Sequence, residues 1–167
     1  TAQTYRPYHN ARYGTQAEIP SGFVADQAPD NNDGRRFVSP DGAAEITVYA
    51  GHGPSTVTGT FPEYRNWLAE TEEGRITYRA GGTHWFVLSG VNSDRIFYVK
   101  VLAGCADRSI AHHVRIVYPA EQKVAYDAMV RHVAGSLAFI DTRECGESAS
   151  GTPAPAPQED EPAGEPE

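Results

Sequence analysis

The fold of this 167-residue chain is decided by residues 75–119, which read RITYRAGGTHWFVLSGVNSDRIFYVKVLAGCADRSIAHHVRIVYP. β-Branched and aromatic residues dominate the stretch, and short glycine-rich or polar turns divide it into strand-length segments. Because short connections favour pairing between neighbours, the pattern predicts an antiparallel meander of four strands. The predicted strands are Arg75–Ala80, His84–Val91, Arg95–Ala103 and Ile110–Tyr118.

A hairpin precedes the meander. Residues Arg36–Ser39 form its first predicted strand, Pro40-Asp41-Gly42 make the turn, and Ala44–Tyr49 form the second strand. A shorter strand is predicted over Gln16–Ile19 and ends at Pro20. Together these segments predict an α+β fold whose antiparallel β-sheet has five to seven strands.

Two helices are predicted to pack this sheet. Thr60 and Glu63 have the spacing of a capping box, so we predict a helix over Phe61–Glu73. A second helix over Glu121–Ala138 carries apolar residues at i, i+4, i+7 and i+11, which is typical of a helix packed on a sheet. This apolar stripe consists of Tyr126, Val130, Val133 and Leu137.

The chain divides into one predicted domain, residues 1–145, and a C-terminal tail, residues 146–167. The tail is rich in Pro and Ala, and it carries six acidic residues but neither Lys nor Arg. It has no aromatic or large apolar residue to bury, so we predict a disordered tail that solvates the chain, tethers it or acts as an interaction arm. The net charge of −8 offers no basic surface for nucleic acid or for anionic lipid.

Composition also bears on location. No apolar run approaches the roughly 18 residues that a membrane helix needs. The chain begins at Thr1 without a preceding Met, and it has two cysteines. We therefore expect a periplasmic or secreted protein whose signal peptide has been removed; the alternative is an arbitrary boundary.

The two cysteines allow one pairing. Cys105 follows the third strand of the meander and Cys145 follows the last predicted helix. Loops at the ends of elements can adjust to the geometry of a disulfide. We predict a Cys105–Cys145 disulfide that ties the C-terminal segment to the sheet; the alternative is two unrelated thiols.

Two short motifs resemble metal sites but lack the required spacing. Residues 30–34, DNNDG, do not place Gly sixth and Glu twelfth, as a calcium loop would. His112 and His113 are neighbours on a strand, so they point to opposite faces and cannot hold one ion together. We expect His112 to face the core and His113 to face solvent, and we predict neither a metal ion nor a cofactor.

No sequence signature of a catalytic centre is apparent. The chain has no G-x-S-x-G elbow, phosphate loop, dinucleotide fingerprint or haem attachment site. A disulfide would also remove both thiols as nucleophiles. We predict a protein without catalytic residues; the alternative is a hydrolase whose site is assembled from scattered residues.

Residues 1–13 are polar and contain three tyrosines, Tyr5, Tyr8 and Tyr13. They are predicted to form an N-terminal arm that lies on the domain. Because tyrosine is enriched at protein interfaces, these three side chains are candidate partner-binding residues; the alternative is ordinary packing.

Several turn and core motifs carry a family resemblance over roughly residues 8–140. They are Ala11-Arg12-Tyr13-Gly14, Asp33-Gly34-Arg35 with Phe37, Ser39-Pro40-Asp41-Gly42-Ala43-Ala44, Trp85 with Ser89-Gly90, Ile96-Phe97-Tyr98, and Tyr118-Pro119 with Tyr126. Together with these motifs, the order of the predicted elements resembles that of the PsbP-like fold. The local sequence is similar to that of uncharacterised exported proteins of alphaproteobacteria. The resemblance implies a non-catalytic binding or accessory module, a subunit or assembly factor of a cell-envelope complex, whose partner is another protein. It implies no catalytic residues, and it does not cover the acidic tail.

Overall fold

The computed structural model describes residues 2–146. Thr1 and residues 147–167 lie outside the described part, and with them nearly all of the tail for which we predict disorder. The described residues form ten strands and two α-helices. The strands are β1 Tyr5–His9, β2 Thr15–Pro20, β3 Val24–Ala25, β4 Gly34–Val38, β5 Glu45–Gly51, β6 Arg75–Gly81, β7 Trp85–Asn92, β8 Arg95–Gly104, β9 Ile110–Pro119 and β10 Ala138–Phe139. The helices are α1 Phe61–Thr71 and α2 Lys123–Ser136.

The strands form two antiparallel sheets. Seven of them lie in the order β3-β4-β5-β9-β8-β7-β6, and the other three in the order β1-β2-β10. The predicted meander and hairpin are confirmed as β6–β9 and β4–β5. Their bounds differ from the prediction by at most two residues. Pairing of β5 with β9 joins the hairpin to the meander in one sheet.

Five residues of the N-terminal arm predicted over residues 1–13 form strand β1. Residues Tyr5–His9 pair with β2 from Tyr5 opposite Pro20 to His9 opposite Gln16. Arg6, Pro7 and His9 are exposed, so this strand lacks the alternation of apolar and polar residues that marks a half-buried strand. Its pairing depends on β2 and not on its own sequence pattern.

Helix α2 and the small sheet cover one face of the large sheet. Val130, Val133 and Leu137 are buried there, as the apolar stripe predicts, whereas Tyr126 is half-buried. They pack in one cluster with strand residues such as Ile46 and Ile116. The helix is shorter than predicted, because a 3₁₀ turn, Ala120–Gln122, precedes it.

Helix α1 packs on the other face of the large sheet. The capping box is confirmed, since the Thr60 side chain accepts a hydrogen bond from the Glu63 backbone amide at 3.2 Å. Phe61, Tyr64 and Leu68 are the buried residues of α1, and they pack over β7, β8 and β9. This cluster contains no residue of β4 or β5, so α1 leaves those two strands uncovered.

The Lys100 side chain is buried beneath α2. It is 2% exposed, and Nζ donates to the Ala134 carbonyl at 3.1 Å. The last carbonyls of a helix have no intrahelical partner and carry partial negative charge. A lysine in the core is therefore accommodated by the C-terminal turn of α2.

Gly90 lies opposite Ile76, at a close approach of β6 and β7. A Cβ at this position would overlap the Arg75 carbonyl oxygen and lie 2.9 Å from Ile76 Cα. We expect Gly90→Ala to lower the free energy of unfolding by about 3 kcal/mol, because backbone atoms must move to relieve the overlap. Urea denaturation measures the change.

Gly135→Ala in α2 is the matched control. A Cβ there meets nothing within 4 Å, so the substitution should stabilise the protein by roughly 0.5–1 kcal/mol through helix propensity. Equal effects of the two substitutions would contradict the close approach of β6 and β7.

Candidate protein-binding surface

The face of the large sheet that carries α1 is only partly covered. Arg36 on β4, Thr47 on β5 and Arg115 on β9 form one row across it, and the row continues to Val99 beneath α1. On β4 and β5 the side chains of this face are half-buried or exposed. We call the uncovered part the open face. It consists of Arg36, Val38, Glu45, Thr47, Tyr49, Arg115 and Val117.

A chain of aromatic rings joins the open face to α1. The Tyr49 ring stacks on His113 with centroids 4.0 Å apart, and the Tyr64 hydroxyl lies 2.6 Å from His113 Nε2. The Tyr64 ring in turn stacks on Trp67 at 5.5 Å. Trp67, at the far end, is 37% exposed. The chain of rings therefore supports a partly exposed indole from beneath.

A π-helix, Pro54–Thr58, lies next to α1. The residue before it, Gly53, contacts the Tyr64 ring so closely that a side chain would not fit. Val57 of this helix is 54% exposed. Single π-helical turns are rare and are frequently found at functional sites, and this one presents an exposed apolar side chain next to α1.

The prediction that His113 faces solvent is wrong. The side chain is 1% exposed, because α1 covers the part of the face on which it lies. Its Nδ1 lies 3.1 Å from the Tyr49 carbonyl oxygen, which can only accept, so Nδ1 carries the proton and Nε2 accepts from Tyr64. Burial lowers the pKa of His113 to about 4, and the ring is neutral at pH 7.

These aromatic residues are poorly suited to catalysis. Burial raises the pKa of Tyr64 and raises that of Tyr49 to about 12. Both phenols therefore stay protonated at neutral pH. His113 Nδ1 is bonded to a backbone carbonyl and not to a carboxylate, so the Tyr64–His113 pair lacks the acidic third member of a catalytic triad.

Ion pairs give the open face both signs of charge. Glu72, at the end of α1, pairs with Arg115. Arg36 pairs with Asp26 and, at 3.1 Å, with Glu45. Since each of these arginines has a carboxylate partner, the open face has little net charge. It suits recognition by apolar contact and hydrogen bonds more than capture of a highly charged ligand.

A shallow depression of about 170 Å³ adjoins Arg115. It is lined by Glu45, Asn92, Arg95, Phe97, Arg115 and Val117, among others. Small-molecule sites usually enclose roughly 300–1,000 Å³. The depression is too small for most metabolites, but it can accept a side chain of a bound protein.

The tyrosines predicted to bind a partner lie on the other side of the sheet. Tyr13 is 5% exposed and packs next to the Cys105–Cys145 disulfide. Tyr5 stacks on His132 at 3.6 Å, and Tyr8 meets Phe37 edge to face at 5.4 Å. Tyr5 and Tyr8 are half-buried and packed against the core, so the open face does not include them.

Cys105 and Cys145 form the disulfide, with Cα atoms 5.5 Å apart. Noncovalent contacts hold the same segment. Glu144 accepts from Arg12 Nε at 2.9 Å and lies 3.0 Å from His52 Nε2. These contacts lower the pKa of Glu144. The C-terminal end of the described chain is thereby fixed to the N-terminal region.

His112 is buried on the opposite face from His113, as predicted. Its Nδ1 lies 2.8 Å from Thr15 Oγ1, and its ring stacks on Phe139 at 4.3 Å. Burial lowers its pKa to about 3. The two histidines therefore share no site, which agrees with the expectation from strand geometry.

One group of possible metal ligands occurs among residues 2–146, namely Cys105, Asp141 and Cys145. Both sulfur atoms belong to the disulfide, and an Asp141 oxygen accepts from the Cys105 amide at 2.9 Å. The group is therefore explained by the disulfide and its neighbouring turn. No helix in the described part of the chain has the length and apolar character needed to cross a membrane.

Sequence analysis does not single out the residues of the open face. Trp67 could have been suspected, since it follows Tyr64 by three residues on the same predicted helix. The contribution of Arg36, Tyr49 and Arg115 depends on the pairing of β5 with β9, which are separated by 58 residues along the chain and have no local signal for it.

Comparison of this fold with solved structures finds the same architecture in distant proteins. Cyanobacterial PsbP from Synechocystis aligns with a TM-score of 0.59 and 13% identity, over 83% of this chain and 94% of that one. The Saccharomyces cerevisiae Ran-binding protein Mog1p aligns with a TM-score of 0.50 and 10% identity, over 84% and 97%. A point mutant of Mog1 aligns with a TM-score of 0.55 and 8% identity, over 86% and 100%.

Comparison by sequence finds no relative of this chain, in contrast to comparison by structure. No protein-family model matches the chain, and no curated protein matches it significantly. At identities of 8–13% the structural likeness concerns fold and not activity. The chain has the PsbP-like α+β fold that cyanobacterial PsbP and Mog1 share.

Proposed function

We propose that this chain is a non-catalytic protein-binding module, and that its partner docks on the open face and on Trp67. The proposal rests mainly on the exposed indole of Trp67. A few residues provide most of the binding energy at protein interfaces, and tryptophan, tyrosine and arginine are enriched among them; the open face and Trp67 together contain all three types. The aromatic support beneath Trp67 reduces the entropy that the side chain would lose on binding.

The compartment of this module is part of the proposal. Disulfides persist in oxidising compartments and are rare in the cytosol, and Cys105–Cys145 is paired in this fold. The sequence also resembles exported alphaproteobacterial proteins. We therefore place the module outside the cytoplasm, as an accessory subunit or assembly factor of a cell-envelope complex.

The fold relatives are compatible with a protein partner. Mog1p is described as a Ran-binding protein, so a protein of this fold can bind another protein. The identity of that partner does not transfer at 10% identity. What transfers to this chain at that identity is the fold alone.

The test is affinity capture from the native host with matched variants. Trp67→Ala removes the exposed indole, and Thr47→Arg places a bulky charge in the centre of the open face. We expect each to reduce recovery of the partner at least about tenfold, because loss of an interface hot spot costs 2 kcal/mol or more. Mass spectrometry with isotope-labelled wild-type bait quantifies the recovery.

Val124→Ala is the control, since Val124 is 87% exposed on α2 and lies away from the open face. It should capture the same protein as the wild type. Thermal unfolding of each variant must match the wild type within a few degrees. Unchanged capture by both Trp67→Ala and Thr47→Arg would refute the open face as the binding surface.

A further inference from the structure

Strand β6 is one edge of the seven-stranded sheet, and the order of strands gives it a single neighbour, β7. Its seven residues, Arg75–Gly81, leave one row of backbone amides and carbonyls without a strand partner among the described residues. An edge of this length can accept an added strand. Most proteins protect such an edge with charge, a bulge or a covering segment.

Two arginines set the chemistry of this edge. Arg75 and Arg79 are exposed, and neither forms an ion pair with any residue in the described range 2–146. Arg36 and Arg115, by contrast, each have a carboxylate partner. The edge of β6 therefore carries two positive charges that have no neutralising partner in this part of the chain.

A bulge distributes these charges over both faces of the sheet. The register with β7 shifts between Ile76 and Tyr78. Ile76 therefore packs against the cluster under α1, and Tyr78 against the cluster under α2. Since neighbouring side chains on a strand alternate, Arg75 lies on the α2 side and Arg79 on the α1 side.

We propose that β6 receives an extended acidic segment of a partner protein as an added strand, a proposal that rests on the protein-binding function given above. Backbone hydrogen bonds along β6 would supply affinity. Carboxylates on both faces of the incoming strand would pair with Arg75 and Arg79 and supply selectivity. The same arginines disfavour pairing of two copies edge to edge, because like charges would meet.

The test is an NMR titration of the full ¹⁵N-labelled chain with designed heptapeptides. The probe is acetyl-TETVETT-amide, which places two glutamates three residues apart and so on opposite faces of a strand. The control peptide has lysine in place of both glutamates. We expect saturable shifts of the Arg75–Gly81 amides with the acidic peptide only, weakening as salt is added.

Charge reversal then locates the site. Arg75→Glu with Arg79→Glu should weaken binding of the acidic peptide at least tenfold. Arg6→Glu with Arg143→Glu makes the same change of charge at exposed residues away from β6, and it should leave the affinity within twofold.

Several outcomes would overturn the proposal. These are an absence of shifts, equal shifts with both peptides, or shifts that map to the open face. A fourth is a change in the amides of residues 147–167 when Arg75 and Arg79 are reversed without peptide, since the chain's own acidic segment would then be the occupant. Loss of partner capture by Trp67→Ala is independent of all four, so failure here is distinguishable from failure of the open face.

Discussion

Acidification from pH 7.5 to 4.5 is expected to lower the free energy of unfolding by about 5 kcal/mol through His112 and His113 alone. Burial lowers the pKa of His112 to about 3 and that of His113 to about 4. In the unfolded chain both titrate near 6.5. Each unfolded molecule therefore binds protons that the folded molecule excludes as the pH falls below that value.

The sign of this effect follows from proton binding. Above about pH 7 both states hold neutral imidazoles, so these two groups leave stability independent of pH. Between about pH 6.5 and 4 the unfolded state gains charge first, so stability falls by up to about 1.4 kcal/mol per pH unit for each histidine. The measurement is the free energy of unfolding from urea titrations at half-unit steps of pH.

The carboxylates titrate in a different window. The Asp41 and Glu144 contacts lower the pKa of both groups. Their contribution is present above the unfolded pKa, near 4, and is lost only as the pH falls further. Stability lost between pH 6.5 and 5 can therefore be assigned to buried histidine.

His113→Gln separates the two histidines. Glutamine keeps one donor and one acceptor at this position but does not titrate. We expect the slope of stability against pH between 6.5 and 5 to fall by about half, whatever the stability of the variant at pH 7.5. A slope equal to that of the wild type would show that His113 is protonated in the folded state.

The large sheet could be predicted because its signals are local. Between its turns, the meander from Arg75 to Tyr118 is dominated by β-branched and aromatic residues, and the hairpin has Pro40-Asp41-Gly42 at its reversal. Each of these six strands can therefore be predicted from a window of about ten residues, whereas the two-residue strand β3 is not predicted. The predicted PsbP-like fold is confirmed by the structural likeness to cyanobacterial PsbP.

Features that depend on distant residues were not predicted. Strand β1 exists because β2 pairs with it. The burial of His113 depends on where α1 lies over the sheet, and strand periodicity alone assigns it only to the face opposite His112. Lys100 is buried because the C-terminal turn of α2 happens to end above it. Sequence periodicity assigns a face, but it does not say what covers that face.

The candidate site shows the same limit. The sequence directs attention to Tyr5, Tyr8 and Tyr13 because they stand in a polar segment. Tyr13 is buried and packs beside the disulfide. The open face consists instead of side chains in rows across β4, β5 and β9. Such rows need register between strands far apart in the chain, which no single window of sequence contains.

Removal of the disulfide is expected to lower the free energy of unfolding by about 4 kcal/mol without changing the fold. The bond joins residues 40 apart, and the loss of chain entropy in the unfolded state for a loop of this length is on that order. Cys105→Ala with Cys145→Ala tests this by urea denaturation. The wild type in excess reductant should show the same loss.

The folded state should survive because the C-terminal segment is also held by other contacts. Ala138 and Phe139 pair with β2, and the Ile140 amide donates to the Gly14 carbonyl at 3.1 Å. Glu144→Gln is the control, since it weakens a surface ion pair and leaves the disulfide intact; it should cost less than about 1 kcal/mol.

The comparison of these variants distinguishes two roles of the segment. If the disulfide acts mainly on the unfolded chain, the double Ala variant loses stability while its near-ultraviolet circular dichroism and its capture of the partner stay as in the wild type. If instead the double variant loses its native spectrum at full dilution from urea, the contacts of residues 138–144 are too weak to hold the segment. The small β1-β2-β10 sheet would then depend on the covalent bond for its formation.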